Sequence, residues 1–146
     1  MLKVSDTSVG RVGFSMAEHP HIEIVRRLMR AASAGDTAAL QLLFTRDCVV
    51  HLPGSHSLAG EHKGLDAALD TLRRIREATD GTMHIEPQQM FLDGRGHVIG
   101  VRRFMADRRG RRRDAVGAVI CTVVGDRVAS LEVFEQDLDQ TNEFWA

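Results

Sequence analysis

Ala115-Val116-Gly117-Ala118-Val119-Ile120-Cys121-Thr122-Val123-Val124 is a run without proline, rich in β-branched side chains, and it reads as a long strand. Before it, Met83 to Leu92 and Val98 to Ala106 alternate or run apolar in the same manner. After it, Arg127 to Glu135 does so again. The breaks between these segments are Asp93-Gly94-Arg95-Gly96, Arg108-Arg109-Gly110-Arg111 and Gly125-Asp126, each holding the glycine that a tight reversal needs. The second half of the chain is therefore four strands joined as antiparallel hairpins.

Upstream, the periodicity changes from two to between three and four. Ile22, Val25, Leu28, Met29 and Ala32 mark the buried face of a helix over residues 21–34, which Gly35 ends. Asp36 is a good N-cap for a second helix, Thr37 to Phe44. Cys48-Val49-Val50-His51-Leu52 is a short strand stopped by Pro53-Gly54. The stretch Ser55 to Gly64 reads as a loop carrying His56 and His62, ahead of a third helix, Leu65 to Ala78, with Leu65, Ala68, Leu69, Leu72 and Ile75 as its apolar stripe. Residues 1–20 show no sustained periodicity and are expected to be a loose N-terminal arm, with one folded domain over 21–146. Helices ahead of an antiparallel sheet give an α+β fold, and a strongly bent sheet wrapped around the third helix would leave a cone-shaped cavity.

Composition narrows the setting. The chain has 146 residues, 43% hydrophobic and 27% charged, which suits one hydrophobic core and lies far from disordered composition. A formal net charge of -1 provides no field to draw it onto nucleic acid or an anionic bilayer. No apolar run approaches the roughly 20 residues that span a membrane, and the N-terminus has no basic segment followed by an apolar one, so a cytoplasmic setting is expected. Cys48 and Cys121 sit among β-branched residues without cationic flanks, as free core thiols do. No glycine-rich strand-to-helix signature for a dinucleotide or phosphate is present, and no cofactor is expected.

Several stretches taken together resemble a known family. These are Ala34-Gly35-Asp36 after the first helix, then Asp47-Cys48-Val49-Val50-His51-Leu52-Pro53-Gly54, then Leu58-Ala59-Gly60-Glu61-His62-Lys63-Gly64. The last strand from Gly125-Asp126-Arg127-Val128 to Asp137 and the tail Glu143-Phe144-Trp145 complete the pattern. The chain resembles the SnoaL-like, ketosteroid isomerase-like branch of the nuclear transport factor 2-like superfamily over roughly residues 21–146. The resemblance implies a cone-shaped α+β barrel, a homodimer, and a cavity for a small hydrophobic organic molecule. For chemistry it is permissive, because the superfamily includes isomerases, cyclases, dehydratases, epoxide hydrolases and members without demonstrated activity. Ketosteroid isomerase binds its oxyanion with a tyrosine beside a protonated carboxylic acid. This chain has no tyrosine, so a histidine or another donor would have to serve.

Candidate residues follow from type and position. The resemblance places His51 at the cavity rim, either as a neutral imidazole passing a proton or as a strand histidine satisfied by a carbonyl. Alternation along the last strand sets Glu132 on one face with Val128 and Phe134, and Leu131, Val133 and Glu135 on the other. With the first set inward, Glu132 is a desolvated carboxylate fit for general acid or base work; with the second set inward it is a surface residue. Asp137 is read either as a base at the cavity mouth or as a cap of the C-terminal segment. His56 and His62 are ligand-contacting or lid residues, and their spacing matches no compact metal motif. Arg102 and Arg103 point to opposite faces, so an inward one would bind an anionic group or pair with Glu132. Phe104 and Phe134 are candidates for the apolar lining. Arg108 to Arg113, with five arginines around Gly110, reads as a solvated hairpin tip, since nucleic-acid binding would want a basic domain and interleaved aromatics.

The leading expectation is acid/base proton transfer on a carbonyl compound by His51 and Glu132, of isomerase, cyclase or dehydratase type. The competing ones are a non-catalytic binding or dimerisation module, and water activation of the epoxide-hydrolase kind assembled from Arg102 and Asp137.

Overall fold

A computed structural model describes residues 18–146. The expected arm over residues 1–20 lies almost wholly outside them.

Helix α1, Pro20–Ala34, starts with proline in its first turn and ends at Gly35, whose left-handed φ of 67° lets its N–H turn back to the Ala31 and Ala32 carbonyls. Asp36 caps α2, Thr37–Leu43, by accepting from Ala39 N at 3.1 Å. Strand β1, Phe44–Leu52, begins four residues before the expected strand. Within the expected loop lies a short strand missed by pattern, β2, Gly60–Lys63, which pairs antiparallel with β1. Its four residues, Gly60-Glu61-His62-Lys63, are a glycine and three charged or polar positions at the sheet edge, with no apolar alternation to announce them.

Helix α3, Leu65–Ala78, packs on β1 and β2, and α1 packs across the next strand, His84–Leu92. Strands β3, His84–Leu92, β4, His97–Arg108, β5, Arg111–Val124, and β6, Arg127–Glu135, follow as hairpins. The β4–β5 reversal is Arg109-Gly110, with φ of 50° and 78°, the double positive φ of a two-residue turn matched to strand twist. The chain's described part closes with α4, Leu138–Trp145.

Strand order is β2-β1-β6-β5-β4-β3 in one open sheet. The sheet is not wholly antiparallel as expected: β1 runs parallel to β6, which the chain reaches after β2, α3 and the three strands β3 to β5. Helices cover one face of the curved sheet, and the core of Val25, Leu28, Phe44, Val50, Val98, Cys121 and Val128 lies between.

One irregularity decides which side chains enter that core. Val128 pairs with Val123, but Ser130 pairs with Thr122, so β6 advances two residues while β5 retreats one. Ala129 is the extra residue of a β-bulge, and a bulge breaks the two-residue period. Val128 faces inward, and beyond the bulge the inward residues are Leu131, Val133 and Glu135.

Candidate functional site

The space between α1, α3 and the sheet is a cavity of about 100 Å³. Its walls are Val25, Leu28, Met29 and Ala32 from α1, Leu72 and Ile75 from α3, and Met83, Ile85, Val119, Cys121, Leu131 and Val133 from the sheet side. Polar side chains gather at one end, beneath α4: Arg102, Arg113, Glu135, His56 and Thr141. Phe104 and Trp145 close that end, 6.3 Å apart between ring centroids.

The strand register builds this cluster. Arg102 on β4, Gly117 on β5 and Glu135 on β6 are cross-strand neighbours in one row. The arginine and glutamate reach toward each other over the glycine, and Arg102 Nη2 donates to Glu135 Oε2 at 2.9 Å. The side chains are 5% and 9% exposed, so the pair sits in low dielectric where an unpaired charge would be costly. Arg113, inward on β5, lies 3.6 Å from Glu135 Oε1 and donates to Thr141 Oγ1 at 2.9 Å. That hydroxyl in turn donates to the Asp137 carbonyl at 2.8 Å, which ties the sheet to the first turn of α4. A Cβ at residue 117 would lie 2.7 Å from Arg102 Nη1 and 2.8 Å from Glu135 Oε1, so only glycine leaves room for the pair.

His56 lines the cavity with its ring face and lies 5.9 Å from Trp145, tilted 31°. Its Nε2 donates to the Pro53 carbonyl at 3.1 Å and its Nδ1 accepts from Leu58 N at 3.2 Å, an arrangement that fixes one neutral tautomer. Burial pushes its pKa below the ordinary histidine value; the Pro53 carbonyl and Glu135 pull it back up, and Arg113 pushes it further down. Both ring nitrogens are spent on the backbone. Cys121 also lines the cavity, and burial pushes its thiol up to about 12, so it is an inert wall atom.

The sequence-derived candidates divide. Arg102, Phe104 and His56 line the cavity. His51 and Glu132 are register partners in β1 and β6, but they stand on the outer face of the sheet, with Glu132 exposed. Of the two faces that alternation left open for Glu132, the structure has the outer one: the bulge at Ala129 breaks the period, so Val128 faces in and Glu132 faces out. Phe134 follows it and is 47% exposed. Arg102 thus pairs with Glu135 and not with Glu132. Asp137 accepts from Gln140 N at 2.9 Å, the capping role, and is exposed. His62 contacts the Leu58 carbonyl at 2.9 Å away from the cavity wall. Among the described residues, no three His, Cys, Asp or Glu side chains converge as a metal site would need.

Glu135, Arg113, Gly117 and Trp145 were missed. Their signal was present but faint: Glu135 is the one acid on the more apolar face of β6, and Arg113 keeps the two-residue step of Val119, Cys121 and Val123 along β5. Three other arginines of the run reach the end of α4 from the hairpin tip, whose residues 109–112 are exposed, while Arg112 pairs with Asp107 at 3.3 Å. Arg108 and Arg109 donate to the Ala146 carbonyl at 3.2 and 3.4 Å, and Arg111 donates to the Glu143 carbonyl at 2.7 Å, where a helix end carries partial negative charge.

Comparison with known proteins agrees with this architecture. A family model described as a SnoaL-like domain matches residues 25–131. An uncharacterized protein of Mycobacterium tuberculosis is 35% identical over 131 residues, covering 90% of this chain and 100% of the relative. Among solved structures, Bal32a from a soil-derived mobile gene cassette superposes with a TM-score of 0.84 at 31% identity, covering 87% of this chain and 97% of that one. A putative polyketide cyclase of Sinorhizobium meliloti gives a TM-score of 0.65 at 25% identity, covering 76% and 93%. Among the described residues no helix is long and apolar enough to cross a membrane.

Proposed function

We propose that this chain, which belongs to the SnoaL-like domain family, binds a small, largely apolar carbonyl compound in its cavity and transfers a proton on it. The observation that supports this reading is the single carboxylate of the cavity wall, Glu135, set against the guanidinium of Arg102 in otherwise apolar surroundings. In such a site Glu135 takes a proton from the carbon next to the carbonyl. Arg102 donates to the oxygen as negative charge builds on it, and the dry wall strengthens that interaction. The product class is an isomerised, cyclised or dehydrated carbonyl compound. This assignment moves the acid/base role from the expected His51 and Glu132 to residues on the inner wall.

One observation favours a second reading, a binding module without chemistry: Glu135 is engaged by two arginines, and His56 has no free ring nitrogen to relay the proton. The two readings separate in one experiment. Small ketones, lactones and enones are screened by thermal shift, since a ligand of the folded state raises the melting temperature. Each hit is then incubated in deuterated solvent and followed by NMR. Exchange at the position next to the carbonyl, lost in Glu135→Gln and kept in Glu132→Gln, is the result expected for the enzyme. Binding without exchange leaves the module.

We further propose that the chain forms a homodimer through the outer face of the sheet. Phe91, Ile99 and Ile120 form one row across it, and Val101, Ala118 and Phe134 the next. Phe91, Ile99, Val116 and Phe134 are exposed there, an apolar surface that a second copy would cover.

A further inference from the structure

The polar end of the cavity carries more positive charge than negative. Its ionisable wall residues are Arg102, Arg113, Glu135, His56 and Cys121. Both guanidiniums are charged, the Cys121 thiol is not, and His56 is neutral with both ring nitrogens on the backbone. Among the described residues Glu135 is the one carboxylate within 4 Å of either arginine. Two cations thus face one anion on side chains that are 5%, 8% and 9% exposed, and a buried charge without a counter-charge is costly.

Arg113 holds the surplus where it can be reached. Arg102 spends Nη2 on Glu135, and its Nη1 is sealed in the wall. Arg113 spends only Nη2, on Thr141 Oγ1 at 2.9 Å. Its Nε and Nη1 have no hydrogen-bond partner among the described residues, and neither is sealed as Arg102 Nη1 is. The Arg113 side chain lines both the cavity and a groove between β5 and α4, so it stands between the two. The acids of the groove do not supply the missing charge: Asp114 is held by two bonds from Arg103, at 2.7 and 2.6 Å, and Glu143 is exposed.

From this arrangement we infer that the ligand is a small apolar acid, bound as a carboxylate whose charge is met by Arg113 and whose hydrocarbon body lies among Leu28, Val119, Leu131 and Val133. The inference rests on the small-molecule reading above and narrows its ligand class: the carbonyl compound of that reading is an oxo acid. The carboxylate accepts from the N–H groups that Arg113 leaves free, and its charge brings the wall to neutrality. An amide or ketone oxygen also accepts but leaves the surplus charge in place. The cavity of about 100 Å³ suits a body of about four or five carbons, since roughly 150 Å³ takes a benzene ring.

The test uses three probes of one shape, 3-methylbutanoate, 3-methylbutanamide and 4-methyl-2-pentanone, titrated calorimetrically at about pH 7.5, where the acid is ionised. They are compared on the wild-type chain, Arg113→Lys and Arg113→Met. The carboxylate is the most strongly hydrated of the three, so a wall without surplus charge would bind it last. The wild-type chain is expected to bind it about 10- to 100-fold more tightly than the other two, the range for hydrogen bonds to charged groups. Arg113→Lys keeps the preference, and Arg113→Met removes it while the ketone still binds. Loss of all three probes alike in both variants would make Arg113 merely structural and overturn the inference. If the amide or ketone matches the carboxylate on the wild-type chain, the anion inference falls and the cavity reading stands. If none of the three binds at millimolar concentration, both fall. Should Arg113→Met fail to fold, the rankings on the wild-type chain and Arg113→Lys decide.

Discussion

At Gly117 the strand has no room for a methyl group. A Cβ there would meet the Phe134 carbonyl at 2.5 Å, besides the two side chains it would push apart. Gly117→Ala is therefore expected to cost about 1–3 kcal/mol of stability, as overpacking does, with the loss read from urea unfolding. The same substitution separates Arg102 from Glu135, so any ligand found by thermal shift should bind the variant more weakly. His56 makes a prediction in pH. Its folded pKa lies below the ordinary 6.5, so the unfolded chain takes up the proton first as pH falls. Its contribution is full above that ordinary value and is lost on acidification through and below it. Replacing it with glutamine, whose amide still donates to the Pro53 carbonyl, should flatten the decline in melting temperature between roughly pH 7 and pH 5. An unchanged slope would mean that His56 titrates as it does in the unfolded chain.

Elements differ in how clearly the chain announces them. Helices α1 and α3 and strands β3 to β6 follow from period and punctuation, because each buries one face and each is bounded by glycine or an acidic cap. Strand β2 is not legible, since a four-residue edge strand of one glycine and three polar or charged residues has no apolar face to show. The inward face of β6 was legible only as two alternatives, and a single extra residue chose between them. Ala129 leaves no mark in composition, for a bulge is a property of the pairing with β5 and not of β6 alone. The site inherits that ambiguity: Arg102 and Phe104 follow from β4, which is regular, while on β6, which is not, alternation singles out Glu132 and gives Glu135 no role. Helix α4 depends on the β4–β5 hairpin for its carbonyl partners. Arg111→Ala removes the bond to the Glu143 carbonyl and should cost about 0.3–1 kcal/mol, typical of a cation at a helix end. It should also shift the emission of Trp145, the chain's one tryptophan, toward the red as the helix loosens over the cavity.

The whole molecule has two faces of different use. The inner face of the sheet holds the cavity and its polar end, and the outer face is an apolar surface with His51 and Glu132 in it. On the dimer proposal, Phe134→Glu places a charge amid that surface and should convert a dimer into a monomer by light scattering, with the melting temperature falling as the cover is lost. A monomeric wild-type chain at tens of micromolar would refute the dimer and leave the cavity untouched. The central claim is that function resides at the Arg102–Glu135 end of the cavity. The most direct measurement takes the best hit of the thermal-shift screen and compares its melting-temperature rise on wild type, Arg102→Met, Glu135→Gln and Glu132→Gln. The account predicts that the rise is altered by the first two substitutions and retained in Glu132→Gln. A rise abolished in Glu132→Gln and unchanged in the other two would place the working site on the outer face and contradict it.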